Sequence, residues 1–250
     1  MFPLLFDKCG GGALEDRILR HAELYGLTTP HVVERLFIHS QDSTSHQTSL
    51  ENATELLLEL SDRRRLARLE GADTGSEESF ERNAFVYPGH ELRTGDDLAR
   101  LWFCCMGGKR RHAIEYREMI EQFNAEGIGD RDGPHHNFFH ALAQEEGGPV
   151  LYRLYICRAE RKNAREQMRN IIGKNARPFR YWIDQGSYGV AVLVQSPQKQ
   201  HEIEQLLQKS YGGRPTLHQQ ARFIVSVVPT EADYGMAIKK YEHEAWESNA

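Results

Sequence analysis

The chain is poor in cysteine. It has four in 250 residues, and Cys9, Cys104, Cys105 and Cys157 form no CxxC pair. That excludes a disulfide framework and makes a reducing compartment the default, so the expected localisation is cytoplasmic. Long apolar runs are missing as well. Stretches such as 188–194 fall far short of the roughly 20 residues that cross a bilayer, and no membrane partner is expected. Residues 1–6 are apolar, but no basic region precedes them and no small-residue cleavage site follows, so no signal peptide is expected. Positive charge is scarce overall: 31 Lys and Arg stand against 36 Asp and Glu, a net −5. This argues against a general nucleic-acid coat. No cofactor is expected.

The charge that is present is unevenly placed. Residues 150–228 hold 13 bases and 5 acids, a net +8, whereas residues 13–93 hold 9 bases and 15 acids, a net −6. A local basic face matters more to a phosphate backbone than the total does. The changes of pattern divide the chain into an N-terminal segment 1–12, a first domain 13–93, a helical connector 94–133, a basic α/β domain 134–230 and an acidic tail 231–250.

In the first domain, Leu14, Ile18, Ala22 and Tyr25 recur at helical spacing, and Gly26 stops that helix. Thr29-Pro30 opens a second helix that buries Val32, Val33, Leu36 and Phe37. Thr48-Ser49-Leu50-Glu51 has the form of a capping box and opens a third, with Leu50, Ala53, Leu57 and Leu60 on one stripe. Strands are expected at 66–69 and 84–87, on either side of a polar stretch at 71–82. Three helices followed by a hairpin is the order of a winged helix-turn-helix. The polar start of the third helix, with Ser45, His46, Gln47, Ser49 and Asn52, is then the surface that reads base edges or phosphates. Arg63, Arg64 and Arg65 follow that helix and would clamp a backbone. The acids Asp73, Glu77, Glu78 and Glu81 on the hairpin oppose this and favour a protein partner instead.

The connector predicts a helix opened by Thr94 and closed by Gly107-Gly108, then a second helix over 112–124 and a Gly/Asp-rich loop at 126–133. His135, His136 and His140 are the densest histidine cluster, and His136 and His140 stand four apart. No glutamate occupies the zincin position between them, and a third ligand would have to come from Cys104 or Cys105. No metal site is assigned.

The basic domain predicts a strand at 150–157, a basic helix at 159–173, strands at 179–183 and 188–195 joined by Asp184-Gln185-Gly186-Ser187, a helix at 197–211 and a strand at 223–228. The order β-α-β-β-α-β implies a mixed sheet with packed helices. Arg161, Lys162, Arg165 and Arg169 line the basic helix, while Met168, Ile171 and Ile172 are there to bury.

The helix-turn-helix, LYRLYICRAERKNAREQMRNII and YGVAVLVQSPQKQHEIEQLLQ together resemble the winged-helix replication-relaxation family of plasmids and mobile elements. That resemblance implies a second domain similar to the restriction-endonuclease core, whose strands carry an acid and an acid-x-lysine. Here residues 152–158 offer no carboxylate. Asp184 is the nearest acid, with Lys199 farther on, so the core would be degenerate. The expected architecture is therefore α+β, a winged helix followed by a small mixed-sheet domain. The expected function is non-catalytic DNA binding in an accessory or regulatory role. Double-stranded DNA is the expected partner, touched by Gln47, Ser49, Asn52, Arg63, Arg64, Arg65, Arg161, Lys162, Arg165 and Arg169. A metal-dependent nuclease-related enzyme, and an adaptor with protein partners or self-association, are the alternatives.

Overall fold

The computed structural model describes residues 12–38, 46–69, 79–107, 111–114, 140–145, 147–158, 161–176, 179–209 and 216–247. The chain is α+β and divides into one unit of residues 1–107 with 229–250 and another of residues 108–228.

In the first unit, helix α1 (Leu14–Tyr25) turns Ile18, Leu19, Ala22 and Tyr25 inward. Gly26 ends it at φ 81°, in the left-handed region. A short strand, β1 (Leu27–Thr28), follows. The sequence pattern missed it, because two residues carry no periodicity. Helix α2 (Pro30–Val33) has proline in its first turn and runs on as a π-helical turn, Glu34–Ile38. Helix α3 (His46–Asp62) begins before the expected capping box, so Ser49 lies within the helix and is fully buried. Strand β2 (Ala67–Arg68), helix α4 (Phe80–Asn83) and strand β3 (Phe85–Val86) follow. Helix α5 (Thr94–Leu101) continues as a second π-helical turn, Trp102–Met106. The strands pair antiparallel in the order β1-β3-β2. One apolar cluster, including Ile18, Val33, Phe37, Leu57 and Phe85, joins the helices to this sheet.

A buried ionic network ties α5 to the end of α1. Asp97 accepts from the Arg93 backbone N–H at 2.9 Å, lies 2.9 Å from His90 Nε2 and accepts from Arg100 at 3.2 Å. Arg100 also donates to the Tyr25 carbonyl. Burial lowers the Arg100 pKa and the Asp97 charge opposes that shift. His90 packs so tightly on Gly26 that a Cβ there would meet its ring at 2.1 Å.

The second unit is built on a five-stranded sheet, β4 (Arg111–Ile114), β5 (His140–Glu145), β6 (Gly148–Ile156), β7 (Tyr188–Val194) and β8 (Arg222–Val227), in that order. Neighbours β4, β5 and β6 are antiparallel, and β6, β7 and β8 are parallel. Each parallel step needs a crossover. Helices α6 (Arg161–Ala176) and α7 (Arg180–Asp184) make the first, and α8 (Pro197–Gln208) and α9 (Leu217–Gln220) make the second. Cys157, Met168, Val190, Val192, Ile203, Leu207 and Phe223 form the core between helices and sheet.

Three expectations fail in this unit. Residues 112–114, expected to begin a helix, lie in strand β4; the rest of 112–124 lies outside the described residues. His140 begins β5. Residues 179–183, expected as a strand, are the turn of α7. Phe179 and Ile183 face the core while Tyr181 between them is exposed, as a helix allows and a strand, which would set all three on one face, does not. The Asp184–Ser187 connection is no hairpin turn. Gly186 N–H bonds to the Ile183 carbonyl and Ser187 N–H to the Trp182 carbonyl, which is a Schellman helix stop with Gly186 at φ 69°.

The expected connector 94–133 is shared between the two units, and the expected acidic tail is helical. Helix α10 (Tyr234–Glu247) belongs to the first unit. Its Tyr234 ring lies 5.4 Å from Phe80, 6.2 Å from Trp102 and 6.3 Å from His31. Arg35 covers Tyr241 at 4.9 Å and donates to the carbonyls of Met106 and Gly107. Aromatic burial of this kind holds the helix although the segment is acidic in composition.

Candidate nucleic-acid interface

Helix α3 carries the first set of expected contacts. Its inward stripe is Ser49, Ala53, Leu57 and Leu60, all buried. Ser49 therefore cannot reach a base or a phosphate, and it leaves the contact set. Asn52 is exposed, as expected of a reading residue. It stands beside Glu51, Glu55 and Glu59, three exposed acids at four-residue spacing. Such a row repels phosphates. Gln47 lies in the first turn of α3, but its side chain and that of His46, with Ser45 and the hairpin acids Asp73, Glu77 and Glu78, are outside the description.

The arginine run is the stop of that same helix. Arg64 N–H bonds to Ser61 and Arg65 N–H to Leu60, again the Schellman pattern. Here the left-handed position is held by Arg64, at φ 56°, where glycine is the usual occupant. Arg63 is committed elsewhere. It makes two bonds of 3.1 Å to the Glu15 carboxylate and one of 3.2 Å to Glu59, so it ties α3 to α1. Arg64 and Arg65 project outward with no ion pair among the described residues.

Helix α6 carries the second set. Ala164, Met168 and Ile171 are buried beneath it. Arg169 is exposed, and Arg165 is half-buried because it borders the apolar stripe rather than opposing it. Arg161 and Lys162 lie in the first turn, with side chains outside the description, as is that of Ile172. That turn contains no acid. Cations at a helix N-terminus work against the helix dipole, so helix stability does not account for them. Arg158, just before α6, is also exposed.

The charge separates by unit. Residues 108–228 hold 18 Lys and Arg against 13 Asp and Glu, a net +5; the remainder holds 13 against 23, a net −10.

The residues considered for a nuclease centre do not converge. Asp184 is on the exposed side of α7, paired with Arg180 at 3.0 Å. Lys199 pairs with Glu202 at 3.4 Å in the first turn of α8. Strand β6 holds no carboxylate. Among the described residues no three His, Cys, Asp or Glu side chains are grouped to hold a metal ion. His140 is buried against the rings of Phe179 and Tyr188; His135 and His136 lie outside the description. Cys104 and Cys105 are buried in the first unit, and burial pushes the Cys105 thiol well up, away from the thiolate that binds metals or attacks.

Two features were invisible in the sequence. Arg153, on β6, is buried, which lowers its pKa, and Tyr188 beside it is pushed up by burial against the pull of Arg153. Tyr181, on α7, is exposed and in edge contact with Trp182 at 5.1 Å. A strand over 179–183 would have hidden this geometry, and only the helical turn reveals it. No described helix is long and apolar enough to cross a membrane. No protein-family model matches the chain, and no curated protein matches it.

Proposed function

We propose that the chain is a non-catalytic DNA-binding accessory protein, in which the basic α/β unit grips the phosphate backbone. The observation that carries this reading is the charge division, +5 against −10, with Arg169 exposed on α6 and Ala164, Met168 and Ile171 buried beneath that helix. In the first unit the order α1-β1-α2-α3-β2-α4-β3, with the short helix α4 between the wing strands, and the sheet order β1-β3-β2 support a winged helix, with α2 and α3 as its helix-turn-helix. The mixed sheet of the second unit, whose β6 lacks acids, supports a degenerate relative of the nuclease core.

The test replaces Arg161, Arg165 and Arg169 together by alanine and measures duplex affinity at several salt concentrations. The triple variant stays folded, and the slope of log affinity against log salt shrinks by about 0.9 for each lost phosphate contact. Unchanged affinity and slope in a folded variant would overturn the reading.

A second reading is favoured by the row Glu51, Glu55 and Glu59. Under it the first unit is a protein-binding adaptor whose α3 meets a basic partner. Replacing the three glutamates by glutamine separates the two. Improved DNA binding by the variant means that α3 lies against DNA, and unchanged DNA binding favours the adaptor role for this unit.

A further inference from the structure

Tyr181 is the one large aromatic side chain that is exposed among the described residues, at 62%. Its position follows from helical geometry. Phe179 and Ile183 face the core, and residue 181 is about 200° around the helix from Phe179, so it points outward. Trp182 meets it at 5.1 Å with the two ring planes 83° apart, which braces the ring. A braced tyrosine has little conformational freedom left to lose on binding.

The stretch of chain that leads to it is cationic. From Arg158 to Arg180 the chain has eight Lys and Arg and two Asp and Glu, and Tyr181 is the next residue. Helix α7 packs on α6, the helix that bears Arg165 and Arg169. Arg180 itself is held by Asp184 in an exposed pair, 72% and 52% accessible. Exposed pairs are worth little, so a phosphate can displace the carboxylate.

We infer that Tyr181 is a stacking platform for an unpaired base, so that the basic unit prefers single-stranded DNA to an uninterrupted duplex. The inference rests on the reading that α6 grips phosphates, and it adds the kind of nucleic acid held. An aromatic face beside backbone-binding cations is the combination that holds single strands without sequence preference. In a duplex the base faces are already covered by their neighbours, and the ring of Tyr181 has nothing to stack on.

The experiment uses the full chain, a fluorescein-labelled oligonucleotide and the same oligonucleotide annealed to its complement, read by anisotropy over a range of salt. The wild type binds the single strand more tightly. Tyr181→Ala loses about fivefold to a hundredfold on the single strand. It leaves duplex affinity and the salt slope unchanged, and Tyr181→Phe keeps the single-strand affinity. Salt-dependent binding to both probes with no effect of Tyr181→Ala, or an equal loss on both, overturns this inference alone. Absence of salt-dependent binding to either probe overturns the phosphate reading with it.

Discussion

Replacing Asp97 by alanine tests the central electrostatic feature of the first unit. Asp97 is 2% exposed and Arg100 4%. Removal of the carboxylate leaves the Arg100 guanidinium in the interior with no counter-charge from Asp97, and it takes the acceptor from His90 and from the Arg93 N–H. Removal of one partner of a buried ion pair costs about 3–5 kcal/mol, much more than the pair contributes relative to an apolar replacement. Against the roughly 5–15 kcal/mol that stabilises a typical domain, that is a large fraction. Arg100→Met alone costs less, since Asp97 keeps His90 and Arg93. The double variant should therefore recover part of the loss, with a coupling of about 1–3 kcal/mol. Because the chain has two units, a single melting curve would mix them. Hydrogen exchange resolved by peptide separates them, with faster exchange expected over 14–25 and 94–106 and no change in β6 and β7. A loss under about 1 kcal/mol for Asp97→Ala, or strictly additive single and double variants, would refute the argument.

Arg64→Gly relieves a left-handed residue. The strain is about 1–2 kcal/mol and the added freedom of glycine in the unfolded chain costs about 0.5–1 kcal/mol, so a net gain of about 0.5–1 kcal/mol is expected in urea unfolding. A net loss would mean that the Arg64 side chain makes a stabilising contact. Gly26→Ala meets both a φ of 81° and a ring 2.1 Å away, so it lowers stability by more than about 2 kcal/mol. The additional change His90→Ala relieves only the clash, and full recovery in the double variant would show the backbone conformation to be unimportant. Ser49→Ala leaves DNA affinity unchanged, because the hydroxyl is buried. Asn52→Ala weakens preferred-site binding more than nonspecific binding if α3 reads bases, and equal effects on both kinds of DNA argue against base reading.

Much of the candidate site was legible in local terms. Ile18, Ala22 and Tyr25 of α1, Val32 and Val33 of α2, Ala53, Leu57 and Leu60 of α3, and Met168 and Ile171 of α6 follow from helical spacing alone. Local pattern failed where two structures share one signature. Gly186 serves a hairpin and a helix stop equally well, and Phe179, Tyr181 and Ile183 fit one face of a strand until the fold buries the outer two and turns Tyr181 to solvent. Composition failed at the C-terminus, where acidic residues concealed Tyr234 and its ring partners.

The division of charge between the halves of the chain, the two basic runs and the lack of acids on β6 are properties of the sequence itself. They limit the chemistry before any folding is considered. Which charges remain available is decided by tertiary structure. Arg63, Arg64 and Arg65 are equivalent in the sequence, yet Glu15, 48 residues away, claims Arg63, and the end of α3 forces Arg64 into a left-handed turn. Ser49 and Asn52 are both plausible readers on one helix, and only the core beneath α3 turns one inward and the other out. Helical spacing sets the angle between two side chains, but the partner that packs on the helix decides which of them meets solvent, and that partner is distant in sequence.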